Sequence, residues 1–367
     1  MRFTISAAAF EQLVSTVIGV CQKKTTTPVL GHLLIQVAGT TILMTGTNGE
    51  IEAGSRAKLA SLEEEGAICV EGSKLSALLR SFEGDKLVSF HLEDEKAVLK
   101  CGRSRFKLAT LPSSSFPNID CENEEWAVRS IEVEGEAFLK QVARVNPAMA
   151  ANDARHFLNG MLVEIRPGQI SLVATDGHRL AKGEMDADVV SNASCIVPRK
   201  MVNEILRSFG KTPILKLSLS SAHFDIRNNE TRLTGRIIEG KYPDYQRVIP
   251  DTVAFNTSMD SKRLIGAMKR SLITSQDQTR AVKLNFADRL VIESRNAKDE
   301  ASKEEMDVQW PHDPLEVAYN GTYLQEALAS IKSDSCNIGF QDAKGAMLMT
   351  PTDQADRFCV VLMSCRS

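Results

Sequence analysis

Asp176 and His178 stand two residues apart in the run Ala174-Thr175-Asp176-Gly177-His178-Arg179-Leu180, with Arg179 beside them. An Asp-x-His pair on a strand tip has two chemistries open to it. It can ligate a metal through carboxylate and imidazole, or pass a proton between them. The plainer alternative is a turn, in which the Asp176 carboxylate accepts from backbone N–H groups and Gly177 supplies the backbone freedom. The turn is the favoured reading, because a matching Asn48-Gly49 earlier in the chain lacks the histidine and the six histidines do not cluster. No G-x-G-x-x-G, P-loop, G-x-S-x-G or H-E-x-x-H is present. The eight cysteines are scattered without a C-x-x-C, so buried, reduced thiols are expected rather than zinc or a redox pair. No catalytic residue, metal or cofactor is expected.

The elements that position this tip come from hydrophobic period. Residues 161–166 alternate, Pro167-Gly168 turn, and 170–174 return, which predicts a hairpin ahead of the polar tip. Helices are predicted at 7–20, 73–82, 136–145, 198–209, 261–273 and 321–331 from apolar residues at i, i+3, i+4 and i+7. Short strands fill the intervals: 1–5, 33–37, 42–45, 51–57, 67–70, 87–91, 97–101 and 105–109, then one opening from the polar tip, 193–197, 214–219, 223–227 and 231–237, then 282–286 and 290–295, with strands from the last helix to the end. A linker is expected at 113–121, and a break at Gly240-Lys241-Tyr242-Pro243-Asp244.

This order repeats. Gly46-Thr47-Asn48-Gly49 matches Ala174-Thr175-Asp176-Gly177 at a separation of 128, and Ser115-Phe116-Pro117 matches Lys241-Tyr242-Pro243 at 126. A period of this length is a domain, not a solenoid repeat. The 367 residues exceed one ordinary core. Three similar α+β domains are expected, at 1–122, 128–250 and 251–367, each with two helices on antiparallel sheets.

The helices carry basic residues: Lys23 and Lys24 after the first, then Lys74, Arg80, Lys140, Arg144, Arg199, Lys200, Arg207, Lys262, Arg263, Lys269 and Arg270. Acids gather elsewhere, at 63–65, 93–95, 120–125 and 299–305, and the net charge is −3. Such segregation would hold phosphates loosely on one face and repel them elsewhere. With no stacking platform or base-reading motif, the contact would be non-specific. There is no signal peptide pattern and no apolar run long enough to span a bilayer, so a cytoplasmic protein is expected.

With Thr27-Pro28-Val29-Leu30, Leu158-Asn159-Gly160-Met161, Val197-Pro198-Arg199-Lys200 and Tyr242-Pro243-Asp244-Tyr245 added to the 174–180 run, the whole chain resembles the bacterial replicative sliding clamps, the beta subunits of DNA polymerase III. The resemblance implies the DNA clamp fold and a head-to-tail homodimer that closes a six-domain ring, helices lining the hole and sheets outside. Its partners would be encircled double-stranded DNA, the DNA polymerase III catalytic subunit, the clamp loader, and other polymerases and repair factors carrying clamp-binding peptides. Lys24, Asn152, Arg199 and Lys200 fall where the family touches DNA.

A peptide of the Gln-Leu-x-Leu-Phe kind would enter a groove of Leu158, Thr175, Gly177, His178, Arg179, Leu180, Pro243, Arg247, Val248, Asn320, Tyr323, Met363 and Arg366. The tail Val361-Leu362-Met363-Ser364-Cys365-Arg366-Ser367 departs from the family's Val-Val-Met-Pro-Met-Arg-Leu, which makes the slot more polar and looser. The resemblance assigns the subunit contact to Lys74, Phe106 and Leu108 on one side and Leu272 and Ile273 on the other. Arg103 or Arg105 would pair at its rim with Glu304 or Glu305. Two other readings stay open: a monomeric enzyme using Asp176 and His178, and a structural oligomer that does not bind DNA.

Overall fold

The computed structural model describes residues 1–22, 26–119, 126–275, 280–342 and 345–365. Lys23, Lys24, the acidic run 120–125 and Arg366 lie outside them. The described residues form two compact units, 1–136 with 203–237 and 137–202 with 238–367. Among them are six α-helices: α1 Ala7–Val17, α2 Gly72–Arg80, α3 Gly135–Val145, α4 Arg199–Ser208, α5 Ser261–Thr274 and α6 Gly321–Ile331. Each buries the stripe that its sequence period defines, such as Phe10, Leu13, Val14 and Val17 in α1 and Leu324, Ala327, Leu328 and Ile331 in α6. Side chains start several of them. The Ser6 hydroxyl accepts from the Ala9 N–H (3.3 Å), and Asp260 from that of Arg263 (2.7 Å).

The first unit holds one antiparallel sheet of thirteen strands. It runs from Trp126–Glu134 through Ile214–Ser220, His223–Arg227 and Thr231–Arg236 to Ile51–Lys58, Thr41–Thr47, His32–Ala38 and Gly66–Glu71. It continues through Ser104–Pro112, Lys96–Cys101, Leu87–Glu93 and Arg2–Ser6 to Ser61–Glu64. Alternation sets which faces are buried: Phe3 and Ile5 are 1 % exposed, and Phe3 stacks on Phe90 at 4.9 Å beneath Phe10.

The second unit has an eight-stranded sheet in the order Ala193–Pro198, Gly160–Arg166, Gln169–Thr175, Arg179–Asp186, Phe358–Leu362, Met347–Pro351, Ser335–Phe340 and Phe255–Asp260. It also has a four-stranded one in the order Ala301–Asp307, Arg289–Arg295, Ala281–Phe286 and Leu315–Asn320.

Several expectations need correction. The first helix stops at Val17 and tightens into a 3-10 turn at Ile18–Val20. The second ends at Arg80, so Phe82 lies beyond it, 5.8 Å from the Phe106 ring. Five strands went unpredicted: Ser61–Glu64, Trp126–Glu134, Phe255–Asp260, Ala301–Asp307 and Leu315–Asn320, and every one is at a sheet edge. Of the described cysteines, Cys69, Cys195 and Cys336 are buried, and Cys21, Cys101, Cys359 and Cys365 half-buried.

The largest correction concerns Arg144, expected on a solvated basic face and found fully buried. Its Nε donates to the Ser330 carbonyl (2.7 Å), Nη2 to that of Ile331 (2.8 Å) and Nη1 to Asp356 Oδ1 (2.6 Å). The guanidinium lies 3.7 Å from the centre of the Phe358 ring. Arg207 is tied down likewise, Nη2 donating to the Thr16 carbonyl (2.7 Å) and Nη1 to that of Ser15. These carbonyls end α1 and α6, where a helix has no donors of its own. Burial works to raise the Asp356 pKa, but Arg144 and Lys140 hold it below the usual carboxylate value.

Replacing Arg144 by Ala strands two carbonyls and leaves Asp356 with Lys140 (3.2 Å), and is expected to lower the urea-unfolding free energy by about 3–5 kcal/mol. A lowered folded-state pKa contributes stability above the unfolded value of about 4, lost as pH falls through the folded value. Wild type should therefore lose more stability than Arg144→Ala on acidification below about pH 4.

Candidate functional site

The hairpin that ends strand Gln169–Thr175 and begins strand Arg179–Asp186 is closed by side chains. Asp176 Oδ1 accepts from the N–H groups of His178 (2.9 Å) and Arg179 (3.0 Å). The Thr175 hydroxyl donates to the Arg179 carbonyl (2.6 Å) and accepts from the Gly177 N–H (3.1 Å), with Gly177 at φ +88°. The same bonds recur in the first repeat. Asn48 Oδ1 accepts from Glu50 (3.1 Å) and Ile51 (2.7 Å), Thr47 donates to the Ile51 carbonyl (3.0 Å), and Gly49 sits at φ +89°. Asparagine serves there as aspartate does here, so the position requires an acceptor oxygen and not an ionisable group. Among the described residues no cluster of three His, Cys, Asp or Glu side chains could hold a metal ion.

What the second copy adds is its rim. The Arg179 guanidinium lies 4.2 Å from the centre of the Tyr323 ring. It pairs with Asp176 (3.1 Å) and Glu326 and donates to the Pro147 carbonyl (2.5 Å), leaving the side chain 9 % exposed. The exposed His178 ring is nearly parallel to Tyr323, 6.4 Å away and tilted by 27°. Burial raises the Tyr323 pKa, and the charge of Asp176 adds to it. Asn320 fixes the start of α6 by accepting from the N–H groups of Thr322 (3.0 Å) and Tyr323 (3.2 Å). The tail is pinned on the same side: the Met363 N–H donates to the His178 carbonyl and that of Cys365 to Ala318, at 2.9 and 2.8 Å.

Next to the rim is an apolar floor, in which Leu180 packs with Leu162, Val173, Ile196, Tyr242, Tyr245 and Val361, and Val248, Phe157 and Leu348 cover its margin. Of the predicted groove residues, Leu180 and Val248 belong to this cluster; Thr175, Gly177, His178, Arg179, Tyr323 and Met363 gather at the turn. Pro243 and Arg247 are exposed, Arg247 pairing with Asp244 at 2.7 Å. Leu158 and Leu180 are 1 % and 2 % exposed, so both support the slot from beneath. The Asn320 oxygen is occupied by the helix start, and Arg366 lies outside the described residues. Sequence reasoning missed Tyr242, Tyr245 and Glu326. The Tyr242-Pro243-Asp244-Tyr245 motif was the available signal, and its two tyrosines, not its proline, form the floor.

Of the residues expected to touch DNA, Lys24 lies outside the described set. Asn152 is exposed with φ +61°, in a loop fastened by reciprocal Asp153–Asn159 bonds of 2.8 Å. The Asn159 carbonyl in turn accepts from the Arg199 N–H (3.0 Å), which joins this loop to the start of α4. Arg199 is half-buried, donating to the Met149 carbonyl (2.6 Å), and Lys200 is exposed. In the same loop Arg155 holds the Asp153 pKa down to about 2. Other helix cations have acids at hand: Lys74 with Glu71 (2.5 Å), Arg80 with Glu11 (3.5 Å) and Lys262 with Asp334 (3.1 Å).

For the subunit contact, Phe106, Leu108 and Leu272 are half-buried and Ile273 is 68 % exposed. The expected rim charges have partners within the chain: Arg105 with Glu93, Glu304 with Arg270 (2.5 Å) and Glu305 with Lys303 (2.9 Å).

Residues 1–120, 132–244 and 246–366 match, in turn, the N-terminal, central and C-terminal domains of the DNA polymerase III beta subunit. The beta sliding clamp of Pseudomonas aeruginosa is 32 % identical, with 99 % of each chain covered, and that of Escherichia coli K12 is 31 % identical over 94 % of each. The crystal structure of the Pseudomonas aeruginosa DNA polymerase III subunit beta superposes with a TM-score of 0.94, at 32 % identity and with 100 % of both chains covered. The chain belongs to the DNA polymerase III beta subunit family, the beta sliding clamps.

Proposed function

We propose that two copies of this chain close head to tail into a ring around duplex DNA. The ring slides without sequence preference and tethers a DNA polymerase and other replication and repair factors, with no catalysis of its own. Its domains are taken as 1–122, 128–250 and 251–367, and its place as the cytoplasm. Among the described residues no helix is long and apolar enough to cross a membrane.

The slot beside the hairpin carries this reading: an apolar floor around Leu180 and Val361, rimmed by His178, Arg179, Tyr323 and Met363. Apolar ground with a few fixed polar groups suits a short peptide with leucine and phenylalanine anchors and a polar residue at the rim. Such a tether raises the polymerase's effective concentration at the primer end. Pro243, Arg247, Asn320 and Arg366 complete the proposed groove, and Lys24, Asn152, Arg199 and Lys200 the proposed DNA face.

For the homodimer, two strand edges are available. Ser104–Pro112 pairs with Gly66–Glu71 only through residues 110–112, which leaves 104–109 open on that side, and Ala301–Asp307 ends its sheet. The first edge carries Arg103, Arg105 and Lys107, the second Glu304 and Glu305. Opposite charge and two unpaired ladders favour joining one to the other across a closing interface, with Lys74, Phe106, Leu108, Leu272 and Ile273 around it.

Loading the protein onto a nicked circular DNA with its clamp loader should give a complex that survives gel filtration and falls off once the circle is cut. Retention on the cut DNA would mean adhesion instead. The His178→Ala chain is expected to bind a Gln-Leu-x-Leu-Phe peptide roughly tenfold more weakly in a fluorescence titration while sedimenting like wild type. Lys200→Glu should weaken binding to all DNA sequences alike and flatten its salt dependence, by about one unit of slope for each phosphate no longer neutralised. An unchanged slope would remove this face from the DNA site.

A further inference from the structure

The helices of the three repeats keep a common register, which marks one position on each. In the first helix of every repeat two buried residues stand a turn apart: Phe10 and Val14 in α1, Phe138 and Val142 in α3, Leu264 and Met268 in α5. Two residues after each pair come Thr16, Arg144 and Arg270. In the second helix the pairs are Leu75 and Leu79 in α2, Met201 and Ile205 in α4, Leu324 and Leu328 in α6. Two residues after these come Ser81, Arg207 and Ser330.

Two of the three possible meetings are made within the chain, each between different repeats. Arg207 donates to the Thr16 carbonyl (2.7 Å), and Arg144 to that of Ser330 (2.7 Å). The same two positions meet both times, with one arginine supplying the donors that a helix end lacks. Only the helix that carries the arginine changes. The positions left over are Arg270 on α5 and Ser81 at the end of α2, the same Arg and Ser as Arg144 and Ser330.

We propose that this third meeting is made between subunits. Resting on the head-to-tail dimer above, Arg270 of one copy donates to the backbone carbonyls of Ser81 and Phe82 of the partner subunit, as Arg144 does to Ser330 and Ile331. The parts of the Arg144 arrangement have counterparts. Glu304 holds Arg270 through Nε (2.7 Å) and Nη2 (2.5 Å), where Asp356 holds Arg144 through Nη1 (2.6 Å), so Nη1 is the nitrogen left on Arg270 to donate. Among the described residues no acceptor meets Arg270 Nη1, and no side chain meets the Ser81 or Phe82 carbonyl. Phe106 lies on the third strand after α2, as Phe358, under Arg144, lies on the third strand after α6. The Arg270 side chain is 60 % exposed, and Ile273, one turn on, is 68 % exposed, as an uncovered contact would leave them.

Dimer dissociation is measured by sedimentation of the full chain and by exchange between two differently labelled copies. Arg270→Thr is expected to raise the dimer Kd at least about tenfold, the loss of hydrogen bonds from a charged donor. Its urea unfolding should stay like wild type, because the Glu304 carboxylate it leaves is partly exposed and can be hydrated. Lys269→Ala, next in sequence, should leave Kd unchanged. Adding Ser81→Arg to Arg270→Thr installs the Thr16–Arg207 arrangement, the reverse polarity of Arg270 and Ser81, and should restore most of the lost affinity, which a purely structural role for Arg270 would not produce. An Arg270→Thr chain that dimerises as wild type does, or a double variant as weak as the single one, overturns the proposal. A wild-type chain that sediments as a monomer at micromolar concentration overturns the dimer reading beneath it.

Discussion

A helix that ends against protein instead of water leaves its last carbonyls without donors, and burying them unpaired is unfavourable by about 1–3 kcal/mol each. Both ends treated this way here, those of α1 and α6, meet an arginine from another repeat. Arginine suits the task better than lysine because its planar fork can serve two carbonyls and a carboxylate at once, and it keeps its charge when buried. Arg144 does all three and sits over the Phe358 ring besides. Docking of one repeat on the next is thus fixed in direction as well as in area, since a guanidinium displaced by an ångström loses several bonds together.

The repeats also separate scaffold from function. The Thr47-Asn48-Gly49 and Thr175-Asp176-Gly177 turns are built from the same bonds, so the turn geometry belongs to the repeat and needs no ligand to account for it. The second copy differs in its next two residues, where His178 and Arg179 replace Glu50 and Ile51. Arg179 is then held by Asp176, Glu326, the Pro147 carbonyl and the Tyr323 ring. On the proposed reading, a rim group fixed at so many points loses little freedom when a peptide arrives, and this preorganisation favours binding.

How far the sequence was legible depends on burial. All six helices could be read, because each buries a whole stripe and the 3.6-residue period is strong. The unread strands were all edge strands. Ser61–Glu64 and Ala301–Asp307 carry acids on faces that a central strand would bury, so their period-2 signal is weak. Arg144 was misread because composition reports charge and not surroundings: one arginine on a helix looks like another until the neighbouring helix end is in place. The candidate slot was legible where it is local, at the hairpin, and not where the apolar cluster beside it draws Tyr242, Tyr245 and Val361 from distant stretches.

The charge pattern bears on how such a ring would stay on DNA. The chain is net acidic at −3, and Lys74, Arg80 and Lys262 lie against Glu71, Glu11 and Asp334, which dilutes their pull on phosphate. A protein that relied on adhesion would need several unshared cations in a row, and its hold would collapse with salt. A closed ring has no such need, because the link is topological and a weak contact permits sliding. On the proposed reading, persistence on DNA is therefore decided at the subunit interface. The groups that set it are the exposed Ile273, the open strand edges and the helix end that Arg270 faces, rather than any cation directed at the duplex.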